Sequence, residues 1–319
     1  RLSFPVSLAC GGTTSENCTY LVQASTSTPT ADPCTFTICK CSSNICRIRL
    51  DFTTFLIAGP TVGTASTDTL TNGASIGDCM ADTFSVTSPG NQGSPLICGF
   101  NTGQHMILDS SDKCNKASFD FSGTATSRQF DIKVTQFACG DEMGGKARWL
   151  LAIFYWDNRI IREVSNFEGR GKICLKESMS SNLALFDFNF PTTGTTVTST
   201  VTHLSSQCYT MCFRQEEGKC AICFDTVIPG AATAAVIDQG SFGLSISSDG
   251  DPKGTQDTGC STDYLQVNKT SAQTPFRVLF KTDSDEDLTA TTDSSTSEQV
   301  DGPGGIIGFY LNYALQDCQ

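Results

Sequence analysis

The sequence predicts an all-β, disulfide-rich chain folded as two related β-sandwich modules in tandem. Three observations point there. Seventeen cysteines stand among 319 residues. Short runs alternate apolar and polar with a period of two. One set of landmarks occurs twice in the same order.

The cysteines set the compartment. Cytosolic chains keep their thiols reduced, so this density implies an oxidising environment and structural disulfides. A zinc reading would want histidine beside the cysteine pairs, and the chain has only His105 and His203. The sequence opens at Arg1 with no charged-then-apolar leader, as a mature secreted protein would. The longest apolar run, Trp149 to Trp156, is far short of the roughly 20 residues that span a bilayer, so no membrane insertion is expected. A net charge of −12 repels phosphate backbones, which argues against nucleic acid as a partner. The sequons at Asn17 and Asn268 suit surface glycans on a secreted chain.

The strands come next. Phe130-Asp131-Ile132-Lys133-Val134 and Ile48-Arg49-Leu50-Asp51-Phe52 alternate apolar and polar, and Phe276-Arg277-Val278-Leu279-Phe280 is similar. Clusters of Gly, Pro, Ser, Thr and Asn separate them, and no window carries a helical period. Short strands with frequent turns and many cysteines argue for sandwiches.

The repeat divides the chain. Thr35–Cys39 followed by Cys46–Arg49 is answered by Cys208–Cys212 followed by Cys220–Cys223. Gly77–Phe84 is answered by Gly259–Leu265. A strand ending at Cys139 is answered by one ending at Cys318. Cys79 to Cys139 spans 60 positions and Cys260 to Cys318 spans 58. Within each copy, Cys39 and Cys46 bracket six residues, and Cys212 and Cys220 bracket seven. Both spacings suit a hairpin closed by a cross-strand disulfide. The alternative sends each cysteine to a different partner.

With these residues in view, the chain resembles the CUB domain family, and in particular secreted CUB-domain proteins of arthropods. The resembling stretches are Cys34 to Phe52, Ile57-Ala58-Gly59-Pro60, Asp82 to Gly90, Ile97-Cys98-Gly99, Gly103 to Met106, Asp131 to Val134, and His203 to Cys223. The resemblance implies two tandem CUB-like jelly-roll sandwiches. It implies bridges Cys10–Cys34 and Cys79–Cys98, and Cys174 paired with Cys208 or Cys212. The modules would be residues 1–142 and 174–319. Ten cysteines fall in the first and seven in the second, so one cysteine of the second is left for a free thiol, an inter-module bridge or an inter-chain bridge.

Residues 143–173 have no counterpart in the repeat and read as an aromatic, basic connector. They hold both tryptophans, and six basic residues against three acidic ones. Trp149, Phe154, Tyr155, Trp156, Arg159 and Arg162 are the expected interface residues, because aromatics and arginines are the usual anchors. Strands packing between or completing the modules are the plainer reading of the same segment.

Catalysis finds little support. Gly73-Ala74-Ser75-Ile76-Gly77 has the form of a hydrolase elbow but no helix follows it. Cys220-Ala221-Ile222-Cys223 lies in a strand pattern, where a redox pair would open a helix. No enzyme activity and no cofactor are expected. The resemblance raises calcium in the second module, at Asp263 and Asp283; Gly123 stands at the second of these places in the first module. The plainer reading of Asp283, Asp285, Glu286 and Asp287 is a solvated loop. The expectation for function is a secreted, extracellular module that binds a protein or a glycan, with self-assembly into a matrix or filament as the alternative.

Overall fold

A computed structural model describes residues 6–29, 31–61, 76–123, 127–139, 172–174, 183–190, 202–213, 218–226, 242–244, 263–267, 276–284 and 307–318. All regular structure among them is β. The first half carries β1 (Val6–Leu8), β2 (Thr13–Thr14), β3 (Thr19–Thr26), β4 (Cys34–Ile38), β5 (Ile45–Leu56), β6 (Asp82–Thr87), β7 (His105–Asp109), β8 (Asn115–Phe121) and β9 (Arg128–Ala138). The second half carries β10 (Lys172–Cys174), β11 (Leu183–Phe186), β12 (Cys208–Cys212), β13 (Lys219–Thr226), β14 (Phe242–Gly243), β15 (Tyr264–Val267), β16 (Arg277–Lys281) and β17 (Gly308–Asp317).

Alternation decides what each strand buries. Along β9, Phe130, Ile132 and Val134 are buried while Gln129 is exposed, and Asp131, Lys133 and Thr135 are only half-buried. β4, β6 and β8 repeat the pattern. Successive side chains on a strand point to opposite faces, so each sheet turns one apolar face inward. Phe119 of β8 stacks on Phe130 of β9 across the two sheets, with ring centroids 4.0 Å apart. Phe280 of β16 meets Phe309 of β17 across the second pair of sheets edge to face, with centroids 5.2 Å apart. Each such buried phenylalanine contributes about 1.5–3 kcal/mol over leaving it exposed.

The duplication is visible as topology. One sheet of the first half has the order β2-β4-β8-β6, and the second half has β10-β12-β16-β15. In both, the first pair is parallel and the other two antiparallel. The opposing sheets share β3-β9-β5 and β11-β17-β13. Two tandem sandwiches of one plan result.

The cystines follow from this plan. Cys10 is bonded to Cys34, and Cys79 to Cys98. The hairpin bridges expected for Cys39 with Cys46 and for Cys212 with Cys220 are not formed. Cys39 is bonded to Cys114, Cys46 to Cys139, and Cys220 to Cys318. The reason is that β4 and β5 lie in different sheets, as do β12 and β13. The short connection crosses from one sheet to the other, so its two cysteines do not face each other. Cys212 instead lies beside Cys174 in the backbone register of β10 and β12.

Cys46 and Cys220 occupy the same structural place. Each sits where the register shifts by a bulge, between Ile45 and Arg47 in one half and between Lys219 and Ala221 in the other. A bulge turns a side chain out of the regular alternation, which lets each cysteine reach across to the end of the neighbouring long strand.

The halves are joined directly. β10 pairs with β7 at Lys172 and Ile107, which merges two sheets into one of nine strands. A single apolar cluster runs through both halves, with Phe52 against Phe188 and Phe188 against Tyr209. Around it, Gln104 Nε2 donates to Asp187 O at 2.8 Å, Asn189 N donates to Asn101 Oδ1 at 2.9 Å, and Gln207 Nε2 donates to Leu96 O at 3.0 Å. Ser205 donates from its hydroxyl to Ile76 O at 2.6 Å and from its amide to Gly77 O at 3.0 Å. The expected connector lies outside the described residues, apart from β10's first two positions.

Candidate functional site: the paired aspartate loops

One aspartate opens the same strand in both halves. In the first it is Asp82, at the start of β6. Its carboxylate is fully buried and receives four hydrogen bonds. Arg128 holds it with two, Nε to Oδ2 at 2.7 Å and Nη2 to Oδ1 at 2.9 Å. Ala58 N donates to Oδ2 at 2.9 Å and Gly123 N to Oδ1 at 3.3 Å. Arg128 is itself 2% exposed. It donates further to Ser27 O and Gly123 O and lies over the Phe121 ring at 5.3 Å. The Asp82 hydrogen bonds push the guanidinium pKa up, against the opposing pull of burial. A bidentate pair with every remaining polar atom bonded is the form in which a buried ion pair is tolerated.

In the second half the aspartate is Asp263, immediately before β15. Asp283 N donates to Asp263 Oδ1 at 2.7 Å, as Gly123 N does to Asp82. The Asp283 amide therefore does for Asp263 what the Gly123 amide does for Asp82. Counting back eleven residues from the bridged Cys139 and Cys318 puts the buried Ile307 where Arg128 stands. Lys281 lends its charge while resting over the Tyr264 ring at 5.6 Å. Burial raises the Asp263 pKa to about 6, and the neighbouring Asp283 charge adds to the rise. The same loop thus carries an internally neutralised carboxylate in one half and two adjacent carboxylates in the other.

Calcium takes six to eight oxygen ligands. No group of three metal-ligating side chains forms among the described residues.

Two buried groups lie behind this end of the second half. Asp187 accepts from Phe309 N at 2.8 Å, and burial pushes its pKa well up. His203 is buried with Nδ1 3.3 Å from Leu204 O and Nε2 3.2 Å from Leu244 O, and burial lowers its pKa. Both are held within the second half, and neither reaches solvent.

Of the expected site residues, Asn17 is exposed, with its side chain clamped to Gln136. Asn268 lies outside the described residues. So do Trp149, Phe154, Tyr155, Trp156, Arg159 and Arg162. Arg128 was legible only as a strand residue, because nothing local links it to an aspartate 46 positions away.

Residues 186–274 match the family model of the animal CUB domain. Domains of that family are typically extracellular protein-interaction modules and generally non-catalytic. Among solved structures, the chain is similar to the CUB1-EGF-CUB2 domains of rat MASP-1, at 13% identity over 97% of this chain and 99% of that one, with a TM-score of 0.27. It is also similar to the CUB1-EGF-CUB2 domain of human MASP-1/3, at 14% identity over 94% and 100%, with a TM-score of 0.26. At those scores neither superposes on the whole of this chain, and no residue is carried over from them. No curated protein matches the chain. Among the described residues no helix is long and apolar enough to cross a membrane.

Proposed function

We propose that this is a secreted, non-enzymatic protein that binds an extracellular protein through the loop of Asp263 and Asp283. The observation that carries it is the contrast between the two aspartate loops. In the first half the chain fills the loop with its own Arg128. In the second half Ile307 stands where Arg128 would, and Asp263 lies beside Asp283 with its pKa raised to about 6. A basic side chain of a partner is the chemistry that two adjacent carboxylates attract. Five formed cystines support an oxidising, extracellular setting. The animal CUB domain match over residues 186–274 supports the same setting. Asn17 is an exposed glycan acceptor, with one of its amide hydrogens directed toward Gln136 O at 3.2 Å.

Immobilised protein is probed with extracellular proteins of basic and of acidic surface, and with a glycan array, beside the double variant Asp263→Asn, Asp283→Asn. A basic protein that binds the wild type, weakens with salt and is lost in the variant supports the reading. Ligands bound equally by both proteins would place the site elsewhere.

Self-assembly is the second reading. Among the described residues the nine-stranded sheet ends at β1 and β15, and each of these edge strands carries an exposed valine, Val6 and Val267. Such edges are templates for strand addition. Light scattering of the unreduced protein separates the readings: large regular assemblies favour the second, a stable monomer the first.

A further inference from the structure

Eight of the ten cysteines in the first half are bonded, and the two left are Cys18 and Cys41, both exposed. They are 23 positions apart in sequence, but they attach to one residue. The Asn17 side chain pairs with the Gln136 backbone on both sides: Nδ2 donates to Gln136 O at 3.2 Å, and Gln136 N donates to Oδ1 at 2.8 Å. The Gln136 side chain is buried and holds the other turn. Cys41 N donates to its Oε1 at 2.8 Å, and its Nε2 donates to Cys39 O at 2.9 Å. A second stitch runs from Cys39 N to Thr14 O at 2.8 Å, with the Thr14 hydroxyl 2.9 Å from that of Thr19. The segment that carries Cys18 and the turn that carries Cys41 are thus fastened side by side at one end of the sandwich.

The backbone of Cys18 adds an independent observation. Its φ is +59°, a region that glycine and asparagine enter cheaply and other side chains do not. A strained conformation retained by a residue ill-suited to it points to a use for its side chain. The one other described cysteine with positive φ, Cys114 at +66°, is bonded to Cys39 in the adjoining turn.

We infer that Cys18 and Cys41 are a modification site that closes to a fifth disulfide of the first half. The two thiols each lose a proton and an electron to form one S–S bond. The oxidant is a disulfide, of a small-molecule or protein carrier in the oxidising compartment, which takes up both electrons and both protons as two thiols. The first half then holds no thiol, and the odd cysteine belongs to the second half, where Cys223 is exposed on β13.

The test is a disulfide map of the unreduced full chain. Thiols are first capped with an alkylating agent under denaturant, and any Asn17 glycan is removed enzymatically. Digestion with glutamate-specific protease, chymotrypsin, trypsin and thermolysin then isolates residues 17–20 and residues 41–44. The expected species is these two peptides joined, with neither cysteine capped. Capping of both, or linkage of either to another cysteine or to a second chain, overturns the inference. Cys18→Ser gives a second readout: one newly capped thiol, at Cys41. No gain of a thiol there also overturns it.

Discussion

Arg128 grips Asp82 through two hydrogen bonds, at 2.7 and 2.9 Å, with both side chains removed from solvent. The pair pins the start of β9 to the start of β6, one strand from each sheet, and so closes one end of the first sandwich. Arg128→Met would leave a buried carboxylate with no counter-charge. The expected loss is about 3–5 kcal/mol of stability, read by denaturant unfolding. Asp82→Asn with Arg128→Met should recover much of it, because the isolated charge is then gone. A double variant as unstable as the single one would show that the guanidinium contributes by packing and not by charge.

Asp263 makes the second half sensitive to pH. Its carboxyl is raised in the fold from the ordinary 3.8 to about 6. A carboxyl raised on folding favours the folded state while protonated. Its contribution is fully present below about pH 4 and is lost as pH rises through about 6. Solvent reaches this side chain, so the effect is on the order of 1 kcal/mol. Asp263→Asn keeps the oxygen that accepts from Asp283 N. The variant should match the wild type at pH 4 and exceed it at pH 7.5 in unfolding midpoint. His203 works in the opposite sense, losing stability as pH falls, and cancels in that difference. Parallel pH curves for the two proteins would remove Asp263 as the source.

The cystines at the two bulges should act alike. Cys46–Cys139 and Cys220–Cys318 span 93 and 98 residues. Closing loops of that length restricts the unfolded chain by similar amounts, worth about 4 kcal/mol each. Replacing either pair with serines should lower stability to a similar extent, measured by denaturant unfolding of the unreduced proteins. A large inequality would mean that one of the two loops stays compact when unfolded.

The sandwich plan and its duplication were legible because both rest on local signals. Period-two alternation marks Phe130-Ile132-Val134 as one buried face, and the recurring cysteines mark the copies. The bridges were harder to read. Cys39 and Cys46 look like hairpin partners only while β4 and β5 are assumed to be neighbours, and sheet membership is a long-range property. The aspartate loop was half legible. Asp263, Asp283 and Gly123 could be matched by their distance from landmarks. Arg128 could not be assigned, since its partner is set by where two strands from different sheets meet. The seam left no sequence signal, because Gly77, Gly99 and Asn189 look like ordinary turn residues until the halves are docked.

That seam gives the last expectation. Gly99 has φ +77°, and a Cβ there would overlap the Asn189 side chain. Asn189 in turn accepts from Phe100 N at 3.2 Å and donates to Thr202 O at 3.1 Å. Gly77 meets Ser205 in the same manner, at φ +85°. The two glycines let the second half approach the first half's backbone, so the packing of Phe52 against Phe188 depends on them. Gly99→Ala costs roughly 1–2 kcal/mol in backbone strain alone, and it also displaces Asn189. Asn189→Ala removes the side chain that accepts from Phe100 N across the seam and donates to Thr202 O, and alanine is also strained there, since Asn189 sits at φ +69°. Both variants should turn a single cooperative melt into two transitions, one for each half. The Gly99 variant should also lower the first transition, since its strain stays within that half. A single transition in both variants would mean that the shared apolar cluster alone couples the sandwiches.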